Sequence, residues 1–187
     1  MNHQILEEDQ LLIAGCKRSE MWARKNLYER YASTMMGVCV RYTGDRETAR
    51  DILQEGFIKI FIKIDTYLGT GSFEGWMRRI FVTTALEYLQ KDQSSRIFDE
   101  YDEKIEDGGT SALEKLSADE LLACIAGLPH GFRTVFNLYA VEGYSHSEIA
   151  EILKIKESTS RSQFARSKQL LQKNIQSIRM YDARNKK

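Results

Sequence analysis

The 187-residue chain has a single proline and only 12 glycines. An all-β sandwich needs frequent tight turns built largely from those two residues, so the composition argues against one. Cysteine is scarce as well: Cys16, Cys39 and Cys124. An odd number at wide spacing provides neither a disulfide framework nor a zinc knuckle. Their apolar neighbours mark them as small buried thiols rather than reactive ones. His3, His130 and His146 lack metal-ligand spacing, and no metal or cofactor is expected. No apolar run approaches the roughly 18 residues of a membrane span. The start, Met1-Asn2-His3-Gln4, does not open a signal peptide. The expectation is a cytoplasmic protein with no direct membrane insertion. A Gly-rich phosphate loop, a Ser-His-Asp arrangement and a Cys-His arrangement are missing too, so an enzyme is not expected.

What is present is enough apolar residue for a packed core, 42% of the chain, with an ordinary 29% of charged residues. The net charge is zero, 27 basic against 27 acidic groups, but it is unevenly laid out. Residues 1–91 hold 13 basic and 12 acidic groups, residues 92–153 hold 4 and 13, and residues 154–187 hold 10 and 2. A basic segment after an acidic middle is the electrostatic footprint of a polyanion binder, because each neutralised phosphate releases counterions. A solvated helix with a Lys/Arg tail would give the same charge.

Hydrophobic periodicity is lost from Lys91 to about Ser117, where acidic pairs such as Asp99-Glu100 and Asp102-Glu103 precede Gly108-Gly109. This reads as an acidic flexible linker between two helical blocks. The fold class is therefore all-α, with two small helical domains: residues 1–91, a linker at 92–116, and residues 117–187. The first block reads as four helices: about Ile5 to Lys17, about Glu20 to Tyr42, a third after Gly44 as stop and Asp45 as N-cap, and Phe73 to Lys91. In the second, Ser117 to Glu120 is a capping box. Pro129 stands at the first position of a helix from about His130 to Val141. Ser145 to Glu148 caps a short helix ending near Leu153, and a last helix runs from about Glu157.

At 100° per residue the third helix has two faces. Leu53, Phe57, Ile60 and Ile64 form a core stripe, flanked by Gly56 and Phe61. The opposite side carries Asp51, Glu55, Ile58 and Ile62, with Gln54 and Lys59 at its margins. A solvated face has little use for two isoleucines beside fixed negative charge. A docking face does, since apolar contact supplies affinity while carboxylates select basic partners and register. The competing arrangement buries both isoleucines under this chain's own helices.

The short helix, turn and longer basic helix at the end form a helix-turn-helix pattern. Phe164, Leu170 and Leu171 anchor the second helix, leaving Thr159, Arg161, Ser162, Arg166 and Lys168 to face outward. Arginine matches guanine edges and phosphates, and hydroxyls with lysine grip the backbone. In the fourth helix and the loop before it, Tyr67, Phe73, Trp76, Phe81 and Tyr88 interleave with Arg78, Arg79 and the hydroxyls of Thr70, Ser72, Thr83 and Thr84. Aromatics beside arginines suit unpaired bases and their phosphates, although Trp76 and Phe81 are expected in the core.

These residues resemble, in order and over nearly the whole chain, a bacterial sigma factor of the extracytoplasmic-function group, which keeps regions two and four. Asp51 to Phe57 looks like the core-polymerase-binding segment of region two. Phe73 to Ile80 with Ala85 to Leu89 looks like the helix facing the melted minus-ten element. Gly127 to Pro129, Phe132 to Phe136 and Ser147 to Glu151 are similar to the opening of region four, and Ser158 to Lys168 to its recognition helix. Four departures stand out: Thr83 for asparagine, Glu87 for aspartate, Ser158 for glycine and Ser160 for an inward valine. Gln163 also stands where a basic residue is common.

The resemblance implies a sigma factor that binds core RNA polymerase and directs promoter recognition, melting and initiation. Asp51, Gln54, Glu55, Ile58 and Ile62 would dock on the clamp coiled coil of the β′ subunit, and region four would approach the β flap. Tyr67, Thr70, Ser72, Phe73, Arg78, Arg79 and Thr83 would take the minus-ten strand, with an extruded base in a pocket of the Tyr67–Phe73 loop and Thr83. Ser145, Thr159, Arg161, Ser162, Arg166 and Lys168 would meet the minus-thirty-five duplex. The acidic linker, as a flexible anion, would thread toward the RNA path, a solvated spacer being the alternative, and a membrane-bound anti-sigma factor is the implied regulator. A helix-turn-helix regulator that does not bind core polymerase is the nearest rival, and a helical adaptor a further one. The acidic and apolar face of the third helix discriminates the first, the aromatic–arginine helix and basic tail the second.

Overall fold

The computed structural model describes residues 2–91 and 117–185, with side chains placed at 8–91, 117 and 120–177. The described residues form helices and short turns without a strand. The chain divides into two compact units, Met1–Asp92 and Gln93–Lys187. The expected acidic linker at 92–116 lies outside the described residues.

The first unit holds α1 (Asn2–Lys17), α2 (Met21–Thr43), α3 (Arg46–Lys63), a 3-10 turn (Ile64–Thr66) and α4 (Phe73–Lys91). Local chemistry sets the joint between α2 and α3. Gly44 adopts φ 81°, a left-handed stop that costs glycine nothing, and its N–H donates to the Val40 carbonyl at 2.8 Å. One residue on, the Asp45 carboxylate accepts from the Thr48 N–H at 2.8 Å and caps α3.

The core of this unit is filled by Leu27, Met35 and Tyr42 of α2, Ile52, Phe57 and Ile60 of α3, and Met77 and Phe81 of α4, each at most 2% exposed. The buried stripe of α3 is wider than expected, taking in Ala49 and Ile52, because both α2 and α4 pack against it. Gly56 makes the close approach of α4 possible. A Cβ there would stand 2.1 Å from the Phe81 ring, whose edge meets Phe57 at 5.3 Å between centroids.

The second unit holds α5 (Ala118–Ala126), α6 (His130–Phe136), a π-helical turn (Asn137–Val141), α7 (His146–Leu153) and α8 (Glu157–Asn185). Both capping boxes form, Ser117 with Glu120 and Ser145 with Glu148. Two expectations need correction. Pro129 is the residue before α6, in extended geometry, rather than its first helical residue. The helix after it is not regular to Val141 but widens into the π turn.

Cys124, Ile125, Leu128, Leu171 and Ile175 form the core of this unit, with Leu121, Phe136 and Leu170 packed on it. Toward the start of α8 the buried face turns polar: Ser160, Gln163 and Ser167 are all buried. Lys154 closes α7 in the left-handed region, φ 56°, and turns the chain into α8.

Candidate interfaces for protein and nucleic acid

The outer face of α3 is open. Ile58 is 58% and Ile62 72% exposed, and Asp51, Gln54 and Glu55 are exposed beside them. The competing arrangement, with both isoleucines under neighbouring helices, does not occur. Neither acid holds an internal arginine: Glu55 pairs with Lys59 of its own helix at 2.8 Å, and no hydrogen bond or ion pair holds Asp51 among the described residues. At the edge of this face Tyr28 of α2 tilts against Phe57 at 4.7 Å and Arg24 lies over the Phe61 ring at 5.5 Å. Periodicity within α3 could not have shown these two residues, because they belong to another helix.

The loop at 67–72 is held from several sides. Lys17 Nζ donates to the Tyr67 carbonyl at 3.2 Å, and the Tyr67 hydroxyl donates to the Gly71 carbonyl at 2.9 Å. The Tyr67 ring packs on Phe73 and Trp76, with centroids 5.0 and 5.6 Å apart. Thr70 and Ser72 are exposed. Phe73 is only 5% exposed and is stacked on Trp76 at 5.6 Å. Trp76, expected in the core, is only half-buried, whereas Phe81 is fully buried.

The expected pocket is divided. A cavity of about 380 Å³ lies between the loop and α1–α2, lined by Tyr67, Gly69, Gly71 and Ser72 together with Asp9 and Tyr31. Tyr31 donates to Asp9 there at 2.7 Å, and its burial, with that carboxylate beside it, pushes the phenol well above its ordinary value. Thr83 belongs to a second cavity of about 250 Å³ between α3 and α4, lined by Lys59, Lys63, Trp76, Arg79 and Glu87. The loop and Thr83 thus line separate cavities. Arg79 and Thr83 are exposed, and the Thr83 hydroxyl donates to the Arg79 carbonyl at 2.9 Å. Arg78 is half-buried, 3.5 Å from Glu74.

Glu87 and Lys59 form a tight pair in the second cavity, 2.7 Å apart. The lysine's hydrogen bond draws the Glu87 carboxyl below its ordinary value. Partial burial opposes the charge on Lys59, yet its bonds to Glu55 and Glu87 outweigh that and raise it.

In the second unit the outer side of α8 presents Ser158, Ser162 and Ala165, flanked by Arg161 and Lys168 on one side and Thr159 and Arg166 on the other. Arg161 is ion-paired with Glu157 one turn before it. Ser162 donates to the Thr159 carbonyl at 3.0 Å, and the Lys168 ammonium lies 5.1 Å from the Phe164 ring. Thr159 and Arg166 are half-buried. Ser145 is exposed, but its hydroxyl donates to Glu148 at 2.7 Å and accepts from the Glu148 N–H at 3.2 Å. These bonds cap α7. Gln163, which stands where a basic residue is common in the family, is buried. Ser160 points inward, as expected of that position, and its hydroxyl meets His146 Nδ1 at 2.9 Å. His146 is stacked on Tyr139 at 4.3 Å. Burial, with Arg161 nearby, lowers its pKa.

One helical unit carries an acidic apolar face beside a cavity lined by cations, and the other carries a helix-turn-helix with basic flanks on its outer side. The family model for sigma-70 region 2 matches residues 27–95, and that for sigma-70 region 4 matches residues 118–171. The ECF RNA polymerase sigma-E factor of Haemophilus influenzae is 30% identical over 183 residues, covering 91% of this chain and 96% of that one. The RNA polymerase sigma-H factor of Pseudomonas aeruginosa is 29% identical over 187 residues, covering 92% and 96%. In fold, the chain is similar to the solved structure of CnrH in complex with the cytosolic domain of CnrY, with a TM-score of 0.50, 17% identity, and 91% and 98% coverage. The chain belongs to the extracytoplasmic-function sigma factors. It directs transcription initiation, with core RNA polymerase and promoter DNA as its partners. Among the described residues no helix is long and apolar enough to cross a membrane.

Proposed function

We propose that the division of labour follows the three surfaces. Residues 1–91 act as the polymerase- and minus-ten-binding domain, residues 92–116 as an acidic linker, and residues 117–187 as the minus-thirty-five domain. Asp51, Gln54, Glu55, Ile58 and Ile62 dock on the clamp coiled coil of β′, and the second domain lies at the β flap. The exposure of Ile58 and Ile62, 58% and 72%, carries this reading: two large apolar side chains side by side in water, next to two carboxylates, gain free energy when a basic protein surface covers them.

Tyr67, Thr70, Ser72, Arg78, Arg79 and Thr83 hold the unpaired minus-ten strand. Thr159, Arg161, Ser162, Arg166 and Lys168 lie along the minus-thirty-five major groove, the arginines reading base edges or phosphates and the others gripping the backbone. The chain works in the cytoplasm and catalyses no reaction of its own. Melting follows from its higher affinity for the open strand than for the duplex, which shifts the equilibrium between them. An anti-sigma factor anchored in the membrane would regulate it by covering both domains.

Pull-down with purified core enzyme tests the docking surface. Asp51→Arg and Glu55→Arg are each expected to lose most binding, and unchanged binding in both would remove the assignment. Run-off transcription from a promoter library, with start sites sequenced, then reports both promoter elements.

A further inference from the structure

Lys59 stands between two surfaces of the first unit. Its Nζ lies 2.8 Å from Glu55 Oε1 and 2.7 Å from Glu87 Oε2. Glu55 lies on the outer face of α3, one turn after Asp51. Glu87 lies on α4 and lines the cavity between α3 and α4 with Lys63, Arg79 and Thr83. One ammonium thus serves two carboxylates that look toward different partners. The lysine side chain is 23% exposed, the two acids 46% and 49%. The cation is the held member, and either carboxylate can leave it.

The length of residue 87 matters. Aspartate is shorter by one carbon–carbon bond, about 1.5 Å, enough to take a 2.7 Å contact out of hydrogen-bond reach. Glutamate closes a bridge that aspartate at this position would leave open.

We propose that Glu55, Lys59 and Glu87 form an electrostatic latch between polymerase docking and loading of the α3–α4 cavity with an unpaired strand, a role that rests on the docking reading of α3. In the free chain Lys59 is shared, and Glu87 keeps part of its negative charge at the mouth of the cavity, where it repels phosphates. A basic partner that takes Glu55 leaves Lys59 to Glu87 alone. The carboxylate is then neutralised, and Lys63 and Arg79 present a net positive cavity. Linkage makes the effect reciprocal: a strand in the cavity holds Lys59 on Glu87, frees Glu55 and tightens docking by the same factor. Exchanging one partly exposed ion pair for another changes affinity by about two- to five-fold.

The test is a double-mutant cycle on the full-length chain, read as affinity for a fluorescent mixed-sequence single-stranded oligonucleotide of about 12 nucleotides. Glu55→Gln, which mimics docking, is expected to tighten binding by about two- to five-fold when residue 87 is glutamate. It is expected to lose that extra gain when residue 87 is glutamine or aspartate. Asp51→Asn removes the same charge from the same face without touching Lys59, so its effect should not depend on residue 87. The coupling should shrink as salt rises, while melting temperatures stay within a few degrees of one another. Independent effects of residues 55 and 87, or an equal dependence on residue 87 for Asp51→Asn, would overturn the latch. Core binding by Asp51→Arg separates the two readings. If it falls and the cycle is additive, only the latch fails; if neither it nor Glu55→Arg changes core binding, the docking surface fails and takes the latch with it.

Discussion

The open faces of α3 and α8 differ in every respect that determines a partner. Each helix buries one side in its own unit. The outer side of α3 holds two isoleucines and two carboxylates, whereas that of α8 is lined with serine and alanine between basic flanks. Apolar area with fixed anions suits a basic protein surface that covers it. Small residues let a backbone come close, and cations at the edges suit a duplex whose phosphates lie on both sides of a groove. Exposure alone does not distinguish an interface with protein from one with DNA; side-chain size and sign do.

The strongest way to break this contrast is to make the α3 face resemble a solvated one. Ile58→Asp with Ile62→Asp is expected to weaken core polymerase binding at least a hundred-fold, about 3 kcal/mol. The melting temperature should hold, because both positions are already in water. Surface plasmon resonance and circular dichroism on the same samples would check this. A retained affinity would mean that the apolar half of the face is idle.

Next in size is Gly56→Ala, which pushes α4 away from α3 rather than altering the face. The added methyl meets the Phe81 ring, and a loss of about 2 kcal/mol in stability is expected by chemical denaturation. Arg161→Ala sharpens the other side of the comparison. It should cost about 1–2 kcal/mol on promoter fragments chosen by run-off transcription, by gel shift or anisotropy, and leave core binding untouched. A matching loss in core binding would erase the distinction between the two helices.

The smallest effect concerns pH. The folded second unit lowers the pKa of His146, so folding favours its neutral form. The contribution is fully present above the ordinary value of 6.5 and is lost as pH falls from there through the lower folded value. Melting of the second unit should therefore decline below pH 6.5, and His146→Gln should flatten that decline. First-unit melting should keep the same dependence in both proteins.

Much of this was legible along the chain because it is local. Asp45, Ser117 and Ser145 cap helices with their own side chains, and Gly44 ends one by adopting a backbone most residues avoid. The two faces of α3 follow from rotation about a single axis. The burial of Phe73 and Gln163 is not legible there for the opposite reason: whether a residue near a helix start is covered depends on a neighbour whose position no periodicity reports. Phe73 is roofed by Tyr67 and Trp76, and Gln163 lies on the face that α8 turns to its own unit. The division of the expected pocket has the same origin, since the loop faces α1 and α2 while Thr83 faces α3.

Sequence by itself determined the two helical units, their caps, the sign of each charged surface and the family, because propensity, periodicity and charge act within a few residues. Tertiary structure decided which aromatic rings support and which are open, and that Lys59 joins two acids 32 residues apart on different helices. Such outcomes depend on how helices cross, and crossing is set by packing at positions like Gly56 that carry no chemistry of their own.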